Sequence, residues 1–207
     1  MIIELVGLPG SGKSTYAKKY VEKNKAINLM DKYLYNDSRI KQNMNKIKLV
    51  SYILLKKRKY CFDLYRIFLK IKFNSRVKKI KMLLYLYSVV GICQKARNQI
   101  VDRDIIIDEG VNQVIWGMLY NSRDSEVVIL KLQKYLKDYF GDKIILLDIE
   151  KNILEERLLK RNSNGGAELN HDIKNDKSKL DYSYMLMEKV KKGIKEVDVT
   201  KSILESA

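Results

Sequence analysis

Nine residues near the start of the chain, Gly7-Leu8-Pro9-Gly10-Ser11-Gly12-Lys13-Ser14-Thr15, constrain its fold more than any other stretch. Gly7, Gly12, Lys13 and Ser14 fit the spacing G-x-x-x-x-G-K-[ST]. The run Ile2 to Val6 before them predicts a strand, and Thr15 to Val21 after them predicts a helix. In that setting the glycines let the backbone turn tightly, so that successive N–H groups point at one place. The helix start adds its own free N–H groups and a partial positive charge. Such a loop holds phosphates. The pattern therefore predicts that Gly7, Pro9, Gly10, Ser11, Gly12, Lys13, Ser14 and Thr15 surround the phosphates of ATP. The Lys13 ammonium would reach the β- and γ-phosphates, and the Ser14 hydroxyl would help hold Mg²⁺. The motif leaves open whether the phosphate passes to water or to another molecule.

A chain of 207 residues predicts one domain with room for an embellishment, large enough to bury a full core. Its two cysteines, Cys61 and Cys93, sit in apolar stretches and read as packing residues rather than a disulfide framework. No grouping of Cys and His suits zinc, and the lone His171 reads as an exposed loop residue. The N-terminal run reads as a strand, not a signal peptide. The longest apolar run, Met82 to Cys93, has twelve residues and is too short to span a bilayer. The expected location is cytoplasmic, with peripheral attachment to a membrane left open.

Charge is distributed unevenly. The net charge is +16, and residues 39 to 103 hold eighteen Lys or Arg against two acids, Asp63 and Asp102, which is +16 by themselves. The rest of the chain is balanced, so the composition shift marks a boundary. It predicts a core of residues 1–38 and 102–207 interrupted by a basic segment over 39–101, whose apolar spacing predicts two to four helices. Further strands are predicted at 26–30, ending at Asp31; at 104–107, ending in Asp108 and Glu109; at 143–148; and at 196–200. Helices are predicted at about 111–121, 123–139, 150–162 and 177–192, with a mobile loop from Asn162 to Asp172. Strands alternating with helices predict an α/β fold, a doubly wound parallel sheet of five strands with the basic helices inserted between the second and third.

Three sets of polar residues bear on where the phosphate goes. Asp31, at the mouth of the predicted second strand, is placed to take the proton of an attacking hydroxyl, or else to cap the turn that follows. Asp108 ends an apolar strand, a position suited to Mg²⁺. Arg157 and Arg161 stand four apart on one helix face, where two guanidiniums can engage two phosphates, or simply pair with Glu155 and Glu156.

The phosphate loop and these acids together resemble the P-loop NTPase superfamily. "LLDIEKNILEERLLKR" resembles the strand, helix and lid entry of its nucleoside and nucleotide (thymidylate and adenylate) kinase-like branch. The resemblance implies a lid over about 162–176 whose arginines steady the phosphoryl group in flight, a catalytic role for Asp31, and Thr200 in the adenine pocket after the last strand. Glu109 divides the readings. In ATPases resembling this pattern it would activate water, whereas in the kinase branch the same place helps bind the acceptor and usually carries an Arg that this chain lacks.

The basic segment suits a small anionic acceptor, a nucleic-acid backbone with Tyr52, Tyr60, Tyr65 and Tyr85 as stacking surfaces, an anionic membrane, or a helical bundle with solvated lysines. The leading expectation is a Mg·ATP-dependent phosphotransferase acting on a hydroxyl or phosphate of a small nucleoside, nucleotide or sugar acceptor. The alternatives are a 5′-polynucleotide kinase and a regulatory ATPase.

Overall fold

The computed structural model describes residues 1–35, 38–99, 102–160 and 168–201. In chain order they form β1 (Ile2–Val6), α1 (Lys13–Asn24), β2 (Ile27–Asn28), a π-helical turn (Asp31–Tyr35), α2 (Arg39–Lys56), α3 (Arg58–Leu69), β3 (Lys72–Phe73) and α4 (Arg76–Asn98). Next come β4 (Ile105–Ile107), α5 (Val111–Asn121), β5 (Ser122–Arg123), α6 (Glu126–Tyr135), a 3₁₀ turn (Lys137–Tyr139) and β6 (Lys143–Asp148). The described chain closes with α7 (Lys151–Lys160), α8 (Glu168–Asn175), α9 (Ser178–Lys192) and β7 (Asp198–Lys201).

Five strands form one sheet in the order β2-β4-β1-β6-β7, and every pairing is parallel. The apolar runs of β1, β4 and β6 are covered on both faces, which is why they do not alternate with polar residues. Ile3, Leu5, Ile106, Ile145 and Leu147 pack under α1 through Ala17. On the other face Ile2, Val6, Ile105 and Ile107 share a single core with α2, α3, α4, α5 and α9. Cys61 and Cys93 are both free and buried within it.

The basic segment supplies three helices. Helix α2 crosses α4 closely at Gly91, where any side chain would meet the Leu49 carbonyl oxygen at 2.9 Å. The two run in parallel, since Tyr52 further along α2 meets Lys95 and Asn98 further along α4. Helix α3 runs back against the first half of α4: Tyr87 donates to the Cys61 carbonyl and Lys79 lies over Phe68. The arrangement brings the front half of α4 beside the carboxyl ends of the strands.

Four elements differ from the sequence reading. The second strand is shorter than 26–30, because the Asn28 side chain accepts from the Met30 backbone N–H and turns the chain out of the sheet. Asp31 therefore opens the π-helical turn rather than ending a strand. Thr200 lies within the strand expected at 196–200, paired in register with Leu147, and because β7 continues to Lys201 it does not line a loop after the last strand. The stretch read as a loop from Asn162 to Asp172 becomes helix α8 from Glu168 onward, held by Tyr120 donating to Asp172 at 2.6 Å. Finally, two-residue strands β3 and β5 form an antiparallel pair too short to leave a pattern.

Candidate active site

The phosphate loop runs from the end of β1 to the start of α1. Gly10 and Gly12 have φ of +92° and +93°, a left-handed conformation that strains any residue with a Cβ. Gly12 also caps α1, so the helix opens directly from the loop with its first N–H groups unspent. The Ser11 backbone N–H donates to the Leu8 carbonyl at 3.0 Å, and Tyr16 N–H donates to Gly12 at 2.9 Å. Gln113 of α5 accepts from the Gly7 N–H at 3.4 Å, which ties the loop to the helix that follows Asp108 and Glu109.

Lys13 is buried, and its ammonium donates to the Gly7 and Leu8 carbonyls at 2.7 and 3.1 Å. It thus lies across the concave side of its own loop. Ser14 and Thr15 are exposed at the helix mouth, Pro9 is half-buried, and the buried Ser11 hydroxyl has no hydrogen-bond partner.

Asp108, just past β4, is 2% exposed, and its Oδ1 has no partner. Burial pushes its carboxyl up to about 6, with the charges of Glu109 and Asp31 adding to the shift and a hydrogen bond from Ser14 opposing it. The two residues expected at the metal are therefore in contact, and one buried carboxylate oxygen is unspent. Among the described residues no group of three or more His, Cys, Asp or Glu stands ready to hold a metal by protein ligands alone. One carboxylate and one hydroxyl suit Mg²⁺, which keeps waters and takes phosphate oxygens as its remaining ligands. The donor set and the orphaned oxygen fit that ion.

Asp31 is half-buried and accepts from the Asn28 side-chain amide at 3.0 Å. Asn28, not Asp31, caps the turn, so the carboxylate is held by a neutral amide near Asp108. Glu109 follows Asp108 in the chain, and its charge is the larger of the two that raise the Asp108 carboxyl. Its Oε2 accepts from Tyr35 at 2.7 Å and from Tyr85 at 2.6 Å. Burial, and then the Glu109 charge, hold the Tyr85 phenol well above its ordinary pKa, so it remains a donor through neutral pH. The turn, α4 and the end of β4 thus meet in one polar cluster. Tyr35 was not singled out in the sequence, and Tyr85 was marked there only as a stacking surface. Nothing local signals their meeting, because 50 residues separate them.

Helix α7 leans on the phosphate loop. A side chain at Gly10 would meet Leu154 at 2.8 Å and Leu158 at 3.1 Å. Arg157 stands three residues after Leu154 on the same side of the helix. Its Nη1 is buried and has no hydrogen-bond partner. A buried guanidinium nitrogen without a partner is costly, and an anion beside the loop would satisfy it. Arg161 and the Gly165-Gly166 stretch lie outside the described residues. Thr200 is half-buried on β7, next to the strand that ends beside Gly7. His171 is exposed on α8, near Asn175 and Asp172, and takes no part in the cluster.

A buried acid unmarked by the sequence reading supports the site from beneath. Glu4, 1% exposed in the middle of β1, accepts from the Asn112 N–H at 2.8 Å, the Asn112 side-chain amide at 3.2 Å and the Gly141 N–H at 3.1 Å. Asn112 lies in the first turn of α5, directly after the Asp108–Gly110 loop. Glu4 thereby fixes that helix start relative to β1.

No family model matches the chain, and no curated protein matches it. Solved structures do. A deoxyadenosine kinase from M. mycoides, with products dCMP and a flexible dCDP bound, superposes with a TM-score of 0.57 at 15% identity, over 99% of this chain and 92% of that one. The same enzyme with dCTP bound gives 0.51 at 14% identity, over 99% and 92%. The whole described chain therefore has the fold of a P-loop nucleoside kinase.

Proposed function

We propose that a chain with this kinase fold and this cluster is a Mg·ATP-dependent phosphotransferase that moves the γ-phosphate to a hydroxyl of a small, uncharged acceptor of nucleoside type. The observations that carry the reading are the convergence of Asp31, Asp108 and Glu109 with Ser14 of the phosphate loop, and the unpartnered guanidinium nitrogen of Arg157 on the helix that packs on that loop. The first side is built to receive a hydroxyl, and the second to hold phosphate.

The loop N–H groups and Lys13 hold the β- and γ-phosphates. Ser14 and Asp108 hold Mg²⁺, which when bound neutralises charge on the phosphate oxygens. Arg157 steadies the phosphoryl group in transit from above the loop, and Arg161 extends that role. Asp31 takes the proton of the attacking hydroxyl. Thr200 flanks the nucleotide at the far side of β6. Residues 39–101 form the acceptor-binding part, and Tyr85 is their contribution to the cluster.

The partners of the three carboxylates favour a hydroxyl over a phosphate as acceptor. They take hydrogen bonds from Asn28, Ser14, Tyr35 and Tyr85, all neutral donors. An incoming phosphate would face the like charges of Asp31 and Glu109, whereas a hydroxyl finds an acceptor for its proton and donors for its lone pairs. The ligands named for the similar deoxyadenosine kinase are nucleotides, which accords with a nucleoside-type acceptor. Two phenols hold Glu109 through its Oε2, one of them from the basic segment, which supports a part in shaping the acceptor pocket.

The test is a transfer assay with γ-labelled ATP and Mg²⁺, using pooled nucleosides, pooled nucleoside monophosphates, or no acceptor. The expected result is label on the nucleosides. Label released only as free phosphate, at one rate in all three tubes, would contradict a kinase. Label on the monophosphates alone would contradict the uncharged acceptor.

A further inference from the structure

Helix α2 is apolar on two opposite sides. Its inner side buries Leu49 and Ile53 against α4. On the outer side Ile40, Met44, Ile47 and Leu54 recur at steps of four, three and seven residues, the spacing of one helix face. At 100° per residue that face lies opposite Leu49. Ile40 is 74% exposed, Ile47 66% and the neighbouring Leu55 84%. A solvent-facing stripe of large aliphatic side chains is not explained by solubility, core packing or the phosphotransfer site. The same helix carries Arg39, Lys41, Lys46, Lys48 and Lys56 and no acid.

We infer that the outer face of α2 docks on an anionic lipid bilayer. The Ile and Leu side chains would enter the boundary between headgroups and acyl chains, and the lysines beside them would meet the anionic headgroups. No helix among the described residues is long and apolar enough to cross a membrane, so the helix lies on the surface.

Two other occupants fit less well. A second copy would set five positive charges of α2 against five more, with no acid on either helix to offset them. A nucleic acid would use stacking platforms, yet the tyrosines of the basic segment are mostly engaged internally. Tyr52 is held by Asn98 and Lys95, Tyr60 stacks on Tyr135, and Tyr85 donates to Glu109. The outer face of α2 itself offers aliphatic side chains, which have no partner on a phosphate backbone.

The test is co-sedimentation of the full chain with vesicles of phosphatidylcholine and phosphatidylserine in roughly a 7:3 ratio, against pure phosphatidylcholine. Light scattering of the free protein and binding to a 5′-hydroxyl oligonucleotide are measured alongside. The expected result is partition onto the anionic vesicles only, weakened by added salt. Ile40→Ser with Ile47→Ser should lower it by roughly tenfold or more, and Lys41→Gln with Lys48→Gln by several-fold. All four sites are on the surface, so ATP affinity should be unchanged and serves as the check of folding. Wild-type protein that stays in the supernatant with both vesicles would overturn the proposal. So would equal binding to both vesicles, a dimer that the serine pair dissociates, or tighter binding to the oligonucleotide than to the anionic vesicles.

Discussion

The two sides of the site are built by opposite means. The phosphate side is local: Lys13 reaches carbonyls five and six residues earlier, and Gly10 and Gly12 shape the same turn. The proposed acceptor side is assembled from afar, with Tyr35 joined to Glu109 across 74 residues and Tyr85 across 24. One therefore rests on backbone conformation and the other on the packing of the π-helical turn, α4 and the end of β4. A local loop survives wherever its strand and helix survive. A cluster brought together by packing can be retuned by one substitution, which suits the acceptor-selecting role proposed for it.

The contrast can be broken first at Lys13. Lys13→Ala should weaken ATP binding and lower single-turnover transfer by on the order of 10³-fold. Transfer within tenfold of wild type would remove the loop from the chemistry. On the role proposed for its guanidinium, Arg157→Ala should lower transfer by roughly 10²-fold while ATP affinity changes little. If instead only ATP affinity falls, Arg157 belongs to ground-state binding.

Smaller effects should sharpen the division. Tyr85→Phe should raise the acceptor KM by about tenfold and leave the KM for ATP unchanged, because it removes one hydrogen bond to a charged group. A shift in the ATP KM would place Tyr85 on the wrong side.

Glu4→Gln should cost about 1–3 kcal/mol, because an amide must turn its NH₂ towards one of three donors. Thermal unfolding measures it. Burial raises the Glu4 carboxyl above its ordinary range, against the opposing hydrogen bonds of Asn112 and Gly141. The folded state thus holds that proton more tightly than the unfolded chain. The contribution of Glu4 to stability therefore falls as pH rises from the ordinary carboxylate range through the raised value. Glu4→Gln should flatten that slope, and an unchanged slope would assign it to another group.

Much of this was legible in the sequence for identifiable reasons. The phosphate loop is contiguous, so its residues can be read in a row. Ile105 to Ile107 and Ile144 to Leu147 are too apolar to face water on either side, which marks buried parallel strands. What escaped depends on contacts between distant residues. Asp31 stands outside the strand because the Asn28 side chain ends it early. Glu4 left one faint mark, an acid within an apolar strand, which becomes meaningful only once Asn112 and Gly141 are seen to donate to it.

The division between the two sides is tested most directly by measuring ATP affinity and single-turnover transfer together in Asp31→Asn. The expected result is ATP affinity within about twofold of wild type, with transfer to a nucleoside reduced by roughly 10²–10⁴-fold. An equal loss of both would show that Asp31 supports nucleotide binding instead, and would contradict an acceptor side that acts separately from the phosphate loop.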